Sequence, residues 1–166
     1  MNKYLQKIAN SVSKKELPLR SRTEVIIIKD GHILVTKNKN KENGDTWAGL
    51  PGGGLDGDSA EQACINECLE EVGITINNIK YTGVEHTQIG GMSKKEDRHL
   101  KFRGSLTKWY TADFVEVDRS KLGADGDSRQ YSWQTHQEAL QAFKRGKVMA
   151  VPRVKALTSL RGLKSV

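Results

Sequence analysis

The feature that most constrains this chain is the stretch from Gly52 to Ile74, GGGLDGDSAEQACINECLEEVGI, in which a glycine-rich loop leads into a helix. Ser59 is a good N-cap, and Gln62 three residues later completes the pattern of a capping box. Gly73 suits the left-handed conformation that often follows a helix. The stretch therefore predicts a loop, a helix that begins near Ser59, and a stop at Gly73.

The predicted helix has two different faces at about 100° per residue. Its apolar face consists of Ile65, Cys68, Leu69 and Val72. The opposite face carries three carboxylates within one turn, those of Glu67, Glu70 and Glu71. A solvated acidic face is the simpler interpretation of the helix alone. The alternative is a site for a hard divalent cation, which removes the repulsion between the carboxylates and uses their oxygens as ligands.

The loop before the helix favours the second interpretation. Gly52, Gly53, Gly54 and Gly57 fall within six residues. Glycine costs backbone entropy on folding, so this density is useful where a positive φ or the close approach of a ligand is required. The loop and the acidic face together are therefore more specific than either alone.

The combination resembles the Nudix box, G-x5-E-x7-R-E-U-x-E-E-x-G-U, where U is aliphatic. Gly52 fills the first position, and the end of the box is Gly73-Ile74. The helical glutamates of the box correspond to Glu67, Glu70 and Glu71. Residues 47–51, WAGLP, also resemble the strand that precedes the box in many members of the family.

Two signature positions differ from the family. Asp58 stands where glutamate is usual, and Asn66 stands where the family has an arginine that holds a glutamate in place by an ion pair. Asn66 can donate a hydrogen bond but cannot form a charged bidentate fork. Both residues are expected to orient the site. Aligning Pro51-Gly52 with the proline-glycine pair of the family also makes the loop one residue short.

Strands on both sides of a central helix, with a further helix late in the chain, favour an α+β fold. The strands are predicted at residues 22–30, 32–36, 74–83, 106–117 and 130–133, and the other helices at 2–13, 137–145 and 151–160. Asp30-Gly31 is a hairpin signal, and residues 37–45 and 86–103 are expected to be loops. The resemblance implies the Nudix-type α/β/α sandwich with a mixed sheet, as a single domain over residues 1–166 with basic extensions at about 1–21 and 147–166.

The resemblance also implies the chemistry, which is hydrolysis of a nucleoside diphosphate linked to another group. Mg²⁺ is the expected cofactor, with Mn²⁺ as an alternative. The expected metal ligands are Glu70, Glu71, the Gly52 carbonyl, and Glu67, which is alternatively the general base. The expected substrate contacts are Gly53, Gly54 and Lys37.

The substrate itself is less constrained. A nucleoside triphosphate or related nucleotide is the central prediction. One alternative is the 5′ end of RNA, or a dinucleotide, held by the basic termini. Another is a non-catalytic nucleotide-binding or regulatory module, which is motivated by Asn66.

The charge distribution is the reason for considering RNA. The net charge is +7, yet residues 1–22 alone carry +5 and residues 144–166 carry +7, which leaves −5 for the middle of the chain. Such ends can hold nucleic acid, although solvated tails are the simpler interpretation. The sequence has neither an apolar run of about 20 residues nor a signal peptide, which predicts a cytoplasmic protein without a membrane partner. The oligomeric state is open, and a homodimer is one option.

Overall fold

A mixed sheet of six strands forms the centre of the computed structural model, which describes residues 16–38, 46–124, 126, 128–146 and 149–160. The strands are β1 (Leu19–Lys29), β2 (His32–Asn38), β3 (Thr46–Gly49), β4 (Ile74–Ile89), β5 (Gly104–Val117) and β6 (Tyr131–Gln134). Their order is β3-β2-β1-β5-β4, and β6 pairs with β2. β1 and β5 are parallel, and the other pairs are antiparallel.

The helices of the described residues lie on both faces of this sheet. They are α1 (Ala60–Val72), α2 (Arg98–Lys101), α3 (His136–Arg145) and α4 (Ala150–Thr158), and a 3₁₀ turn (Lys95–Asp97) precedes α2. α1 packs on one face through Cys64, Cys68 and Val72. α3 and α4 pack on the other face through Phe143 and Leu157. This arrangement confirms the α+β prediction and its α/β/α sandwich.

β1 explains why two cores can form. Successive side chains of a strand point to opposite faces, so Val25 and Ile27 join the core under α1. Ile26, between them, joins the core under α3 and α4. All three are fully buried, as expected for a strand that lies between two others and is covered on both faces. The continuous apolar run predicted this strand correctly.

The two ends of α1 lie where the sequence predicted them, but the Gln62 side chain donates to Asn66 and does not complete the capping box. The Ser59 hydroxyl accepts a hydrogen bond from the Gln62 N–H at 3.1 Å, and Gly73 has φ 65° and ψ 45°. The hairpin signal is also confirmed, since Asp30 and Gly31 both have positive φ, at 49° and 75°, and Lys29 pairs with His32.

Two predicted loops begin later than expected. Lys37 belongs to β2, where it pairs with Trp47 of β3; residues 39–45, the rest of that predicted loop, lie outside the described residues. β4 continues through residues 86–89, and Gln88 pairs with Ser105. β4 is an edge strand with register shifts, one of them between Asn77 and Lys80. One face of an antiparallel strand can be exposed to solvent and carry polar side chains. The polar character of residues 86–89 was therefore not a sign of a loop.

The predicted helix at residues 2–13 lies outside the described residues. The division into one domain with basic extensions stays a prediction. β1 begins at Leu19, and α4 buries Ala156 and Leu157, so parts of both proposed extensions belong to the folded core. No helix within the described ranges has the length and apolar character needed to cross a bilayer.

Candidate active site

The glycine-rich loop runs alongside β1 like a short extra strand. The Thr23 N–H donates to the Gly53 carbonyl at 2.8 Å, and the Val25 N–H donates to the Pro51 carbonyl at 2.9 Å. A Cβ added to Gly52 would collide with the backbone of Thr23 and Glu24. The loop therefore needs glycine at this position because it packs directly on another backbone.

The other side of the loop faces the carboxylates of α1. The Gly52 N–H donates to Glu71 Oε2 at 2.9 Å, and a Cβ added to Gly53 would collide with the carboxylate of Glu67. Glu71 is 2% exposed. The interpretation of a solvated acidic face is therefore wrong for this glutamate, because the loop covers that side of the helix. The loop thus holds two of the three predicted acidic residues.

Two arginines outside the glycine-rich stretch complete this arrangement. Arg129 Nη2 lies 3.0 Å from Glu71 Oε1, and the Arg129 N–H donates to the Glu71 carbonyl at 2.7 Å. Arg22, on β1, is half-buried. Burial is the main cause that lowers the pKa of Arg22, and the negative charges of Glu67 and Glu71 are among those that oppose the shift. The site is thus a cluster of carboxylates and guanidinium groups rather than an acidic patch.

Glu70 occupies the last turn of α1 and is half-buried. Its backbone carbonyl accepts a hydrogen bond from the Gly123 N–H at 2.7 Å. Because Arg129 caps the next carbonyl, the segment between β5 and β6 satisfies two of the acceptors that the end of a helix leaves without partners. This segment is therefore fixed against the acidic end of α1.

The donor groups suit a divalent cation, because carboxylate oxygens are the hard ligands that Mg²⁺ and Mn²⁺ prefer. Glu67 and Glu71 fit in position as well, since both face the glycine loop. The described residues contain no group of three or more His, Cys, Asp or Glu side chains close enough to hold a metal ion. A cation shared by Glu67, Glu70 and Glu71 would therefore require their carboxylates to come closer together.

The two residues that depart from the expected box contact each other. Asn66 Nδ2 donates to Asp58 Oδ2 at 3.0 Å, and Asn66 Oδ1 accepts from Gln62 Nε2 at 2.9 Å. A hydrogen bond from an amide to a carboxylate, rather than an ion pair, therefore joins the loop to the helix at these positions. The predicted orienting role of these two residues stays a prediction.

A second connection between the loop and β1 is ionic. Arg20 Nη2 lies 2.7 Å from Asp56 Oδ2, and its Nε lies 3.3 Å from Oδ1. The Arg20 side chain is 6% exposed, and a Cβ added to Gly54 would collide with its guanidinium group. A side chain at position 54 would therefore displace the Arg20 guanidinium group from Asp56, as one at position 53 would displace the Glu67 carboxylate.

A narrow cavity of about 230 Å³ opens beside Gly52. Its lining is mostly polar and consists of Arg22, Glu24, Asn38, Leu50, Gly52, Gln88, Ser105, Thr107, Arg129, Met149 and Arg153. Glu24 and Arg153 form a buried ion pair in its wall, with Nη2 to Oε1 at 2.6 Å. The Trp109 indole N–H donates to the same carboxylate at 2.8 Å. This wall is therefore a fixed polar network.

A wider groove of about 1020 Å³ lies next to it. Its lining is Lys37, Asn38, Trp47, Val72, Arg119, Leu122, Ser128, Arg129, Gln130 and Tyr131. The Lys37 ammonium lies 5.9 Å from the centre of the Trp47 ring. Asn38 and Arg129 line both spaces, so the carboxylate of Glu71 lies near the point where they meet.

Sequence reasoning missed Arg129 and the arginines of β1. A signal for the second group was present, because Arg20, Arg22 and Glu24 alternate in register with buried Ile26. Charged side chains on a face that becomes buried must be paired or must line a site. No comparable local pattern marks Arg129, which follows a turn-rich polar segment.

A comparison with protein-family models decides the family. The model described as the NUDIX domain matches residues 18–153, which is most of the chain. The chain belongs to the Nudix family. The comparison with curated proteins gives no significant match.

Solved structures agree with the fold of a Nudix protein. The chain resembles a Nudix hydrolase from Nitrosomonas europaea with 18% identity and a TM-score of 0.61, over 85% of this chain and 89% of the other. A MutT Nudix hydrolase from Burkholderia pseudomallei has 23% identity and a TM-score of 0.56, over 85% and 97%. An ADP compounds hydrolase has 16% identity and a TM-score of 0.63, over 88% and 73%. At these identities the likeness shows the fold alone.

Membership of the family confirms the general predictions. The protein is a Nudix enzyme, a pyrophosphohydrolase that acts on nucleoside diphosphate-linked substrates, and the family generally uses divalent cations. This favours the enzyme over the non-catalytic alternative. The roles predicted for Gly52 to Gly54, Lys37 and the three glutamates stay predictions.

Proposed function

We propose that this Nudix enzyme hydrolyses the phosphoanhydride of a nucleoside triphosphate or a related nucleotide, with Mg²⁺ as its cofactor and Mn²⁺ as a substitute. The observation that carries the proposal is the hydrogen bond from the Gly52 N–H to the buried carboxylate of Glu71 at 2.9 Å. This bond fixes the glycine loop against an acidic side chain in a setting that also contains guanidinium groups. Such a site suits a polyphosphate bound through a cation.

The geometry of the loop supports the Gly52 carbonyl as a metal ligand. In an extended segment, the N–H and C=O of one residue point to the same edge. Pro51 and Gly53 direct their carbonyls at β1, whereas Gly52 directs its N–H at Glu71. The Gly52 carbonyl is therefore expected to point towards α1, on the side of the carboxylates.

Glu67, Glu70 and Glu71 then each have a role. Glu70 and Glu71 would hold the cation, and Glu67, one turn earlier, would be a further ligand or would take the proton from the attacking water. A bound divalent cation neutralises phosphate charge and makes water a better nucleophile. Lys37 lines the groove and would contact a phosphate. Gly53 and Gly54 would contact phosphate oxygens only through backbone groups, because Glu67 and Arg20 occupy the space beside their Cα atoms.

A second candidate substrate is favoured by the size and character of the wider groove. Ligand pockets usually have about 300–1,000 Å³, so the narrow cavity alone is too small for a complete nucleotide. The groove adds Lys37, Arg119 and two aromatic residues, Trp47 and Tyr131. A dinucleotide or the 5′ end of RNA would fill both spaces. Holding RNA by the termini is a weaker idea, because Arg20 and Arg153 of those termini are paired inside the fold.

The test is phosphate release from nucleoside triphosphates, nucleotide sugars, dinucleotides and triphosphorylated RNA, with Mg²⁺, with Mn²⁺ and with chelator. Glu70→Gln is expected to lower kcat/KM by about 10²-fold or more while the protein stays folded. The matched control is Glu61→Gln, an exposed glutamate in the first turn of the same helix. Failure to turn over any substrate with either metal would contradict the proposal and favour a binding module.

A further inference from the structure

Arg129 holds Glu71 with both its backbone and its side chain. Its N–H donates to the Glu71 carbonyl at 2.7 Å, and its Nη2 lies 3.0 Å from Glu71 Oε1. Its Nη1 also donates to the Leu50 carbonyl at 3.4 Å. Since the Gly52 N–H contacts the other oxygen of Glu71, both oxygens of this buried carboxylate have a partner within the protein.

The position of Arg129 connects it to the substrate as well. Its side chain is 25% exposed and lines both the narrow cavity and the wider groove. A molecule that extends from one space into the other therefore passes this guanidinium. The planar fork of an arginine matches a phosphate as well as it matches a carboxylate.

A divalent cation bound to Glu71 would weaken the ion pair between Glu71 and Arg129. The cation and the guanidinium would both be within a few ångströms of the same carboxylate, where like charges repel most strongly. If the metal ion takes the place of the guanidinium group, Glu71 also loses its ion pair with Arg129. Binding of the two cations to Glu71 is therefore expected to be competitive.

We propose that Arg129 is a phosphate-binding residue of this site, which forms an ion pair with Glu71 in the metal-free enzyme and leaves it for a substrate phosphate when a divalent cation is bound. The inference rests on the proposed function, because it requires Glu71 to be a metal ligand. It assigns a substrate contact to a residue that is distant from the glycine-rich stretch in sequence but contacts it in space.

The first test measures Mn²⁺ affinity without substrate, by electron paramagnetic resonance of the free ion. The Arg129→Gln variant is expected to bind Mn²⁺ about tenfold more tightly than the wild type. This is the size of effect that is typical when two binding events at one protein are coupled. Arg129→Lys keeps a positive charge and should stay within about threefold of the wild type. The control is Arg98→Gln, which removes the arginine of another Arg–Glu pair, the one with Glu96 at 3.2 Å, and should leave Mn²⁺ affinity unchanged.

The second test separates binding from structure through kinetics. With a nucleoside triphosphate, both Arg129 variants should raise KM by about tenfold or more, since lysine cannot reproduce the fork. A purely structural role would instead lower the melting temperature and leave the Mn²⁺ affinity unchanged or weaker. If Arg129→Gln does not fold, the Nε–Hε NMR signal of Arg129 in the wild type is followed during titration with diamagnetic Mg²⁺, and a signal whose chemical shift does not change overturns the proposal.

The outcomes distinguish this inference from the proposed function. If Glu71→Gln leaves Mn²⁺ affinity unchanged, Glu71 is not a ligand, and the proposed metal site fails together with this inference. If Glu71→Gln weakens Mn²⁺ binding but Arg129→Gln does not strengthen it, only the role of Arg129 is refuted.

Discussion

Replacing Arg153 with methionine tests whether the end of the chain is part of the enzyme core. Arg153 lies on α4, and its Nη2 and Nε contact the two oxygens of Glu24 at 2.6 and 2.8 Å. Its Nη1 donates to the Ala48 carbonyl at 2.8 Å. The side chains of the ion pair are 9% and 10% exposed. The methionine would leave the charge of Glu24 buried without this cation.

The expected loss is large. Removing one partner of a buried ion pair typically costs about 3–5 kcal/mol, and the Ala48 carbonyl also loses a donor. We therefore expect the free energy of unfolding to fall by about 4 kcal/mol, a substantial share of the ~5–15 kcal/mol that stabilises a typical domain. For a chain of this length, that corresponds to a fall in Tm of about 10 °C.

Urea denaturation followed by circular dichroism measures this loss. The double variant Glu24→Gln/Arg153→Met removes both charges and keeps an acceptor for the Trp109 indole, so it should recover at least half of the lost stability. Arg98→Gln removes a pair whose Glu96 side chain is 60% exposed and should change stability by less than about 1 kcal/mol. The reasoning is refuted if Arg153→Met stays within about 1 kcal/mol of the wild type, or if the double variant is no more stable than the single one.

Three further predictions concern the loop and helix α1. Asn66→Arg should give equal or higher kcat/KM, because the longer cation can pair with Asp58; a large loss would show that Asn66 has a role particular to this protein. Asp56→Ala should lower the free energy of unfolding by about 2 kcal/mol in urea denaturation, because the buried Arg20 loses its carboxylate; an unchanged value would show that the Arg20–Asp56 pair does not stabilise the fold. Burial raises the pKa of Cys64 to about 11, so the unfolded chain releases this proton at lower pH than the folded one. Stability should therefore fall between about pH 9 and 11, by roughly 2–3 kcal/mol, and urea titrations of Cys64→Ala should lack this component.

The elements that the sequence predicted well depend on neighbours along the chain. Ser59 and Gly73 determine the ends of α1 by contacts within the helix or one residue beyond it. The run from Val25 to Ile28 has enough apolar side chains to satisfy both faces of a central strand. Such features need no knowledge of the rest of the molecule, so composition and spacing were sufficient.

The parts of the site that sequence reasoning missed depend on contacts between elements that are distant along the chain. The helical wheel showed the direction of Glu71 but not the loop that covers it, and so did not reveal its burial. Arg129 reaches Glu71 from the segment between β5 and β6, across 58 positions of sequence. The direction of a side chain follows from its own element, whereas its partner follows from the packing of distant elements.

The glycines show how this difference changes a functional argument. Their density suggested that a ligand comes close to the loop, yet the space beside Gly52 is occupied by the backbone of β1 and the space beside Gly53 by the carboxylate of Glu67. These glycines therefore have an intramolecular purpose, which is to let a strand and a helix approach the same loop from two sides. A loop fixed in this way holds Glu67 and Glu71 at a defined distance from β1, and β1 carries Arg22. Backbone contacts therefore fix the loop between the strand that carries Arg22 and the helix that carries Glu71. Fixed polar groups of this kind are the preorganisation on which electrostatic stabilisation of a reacting phosphate depends.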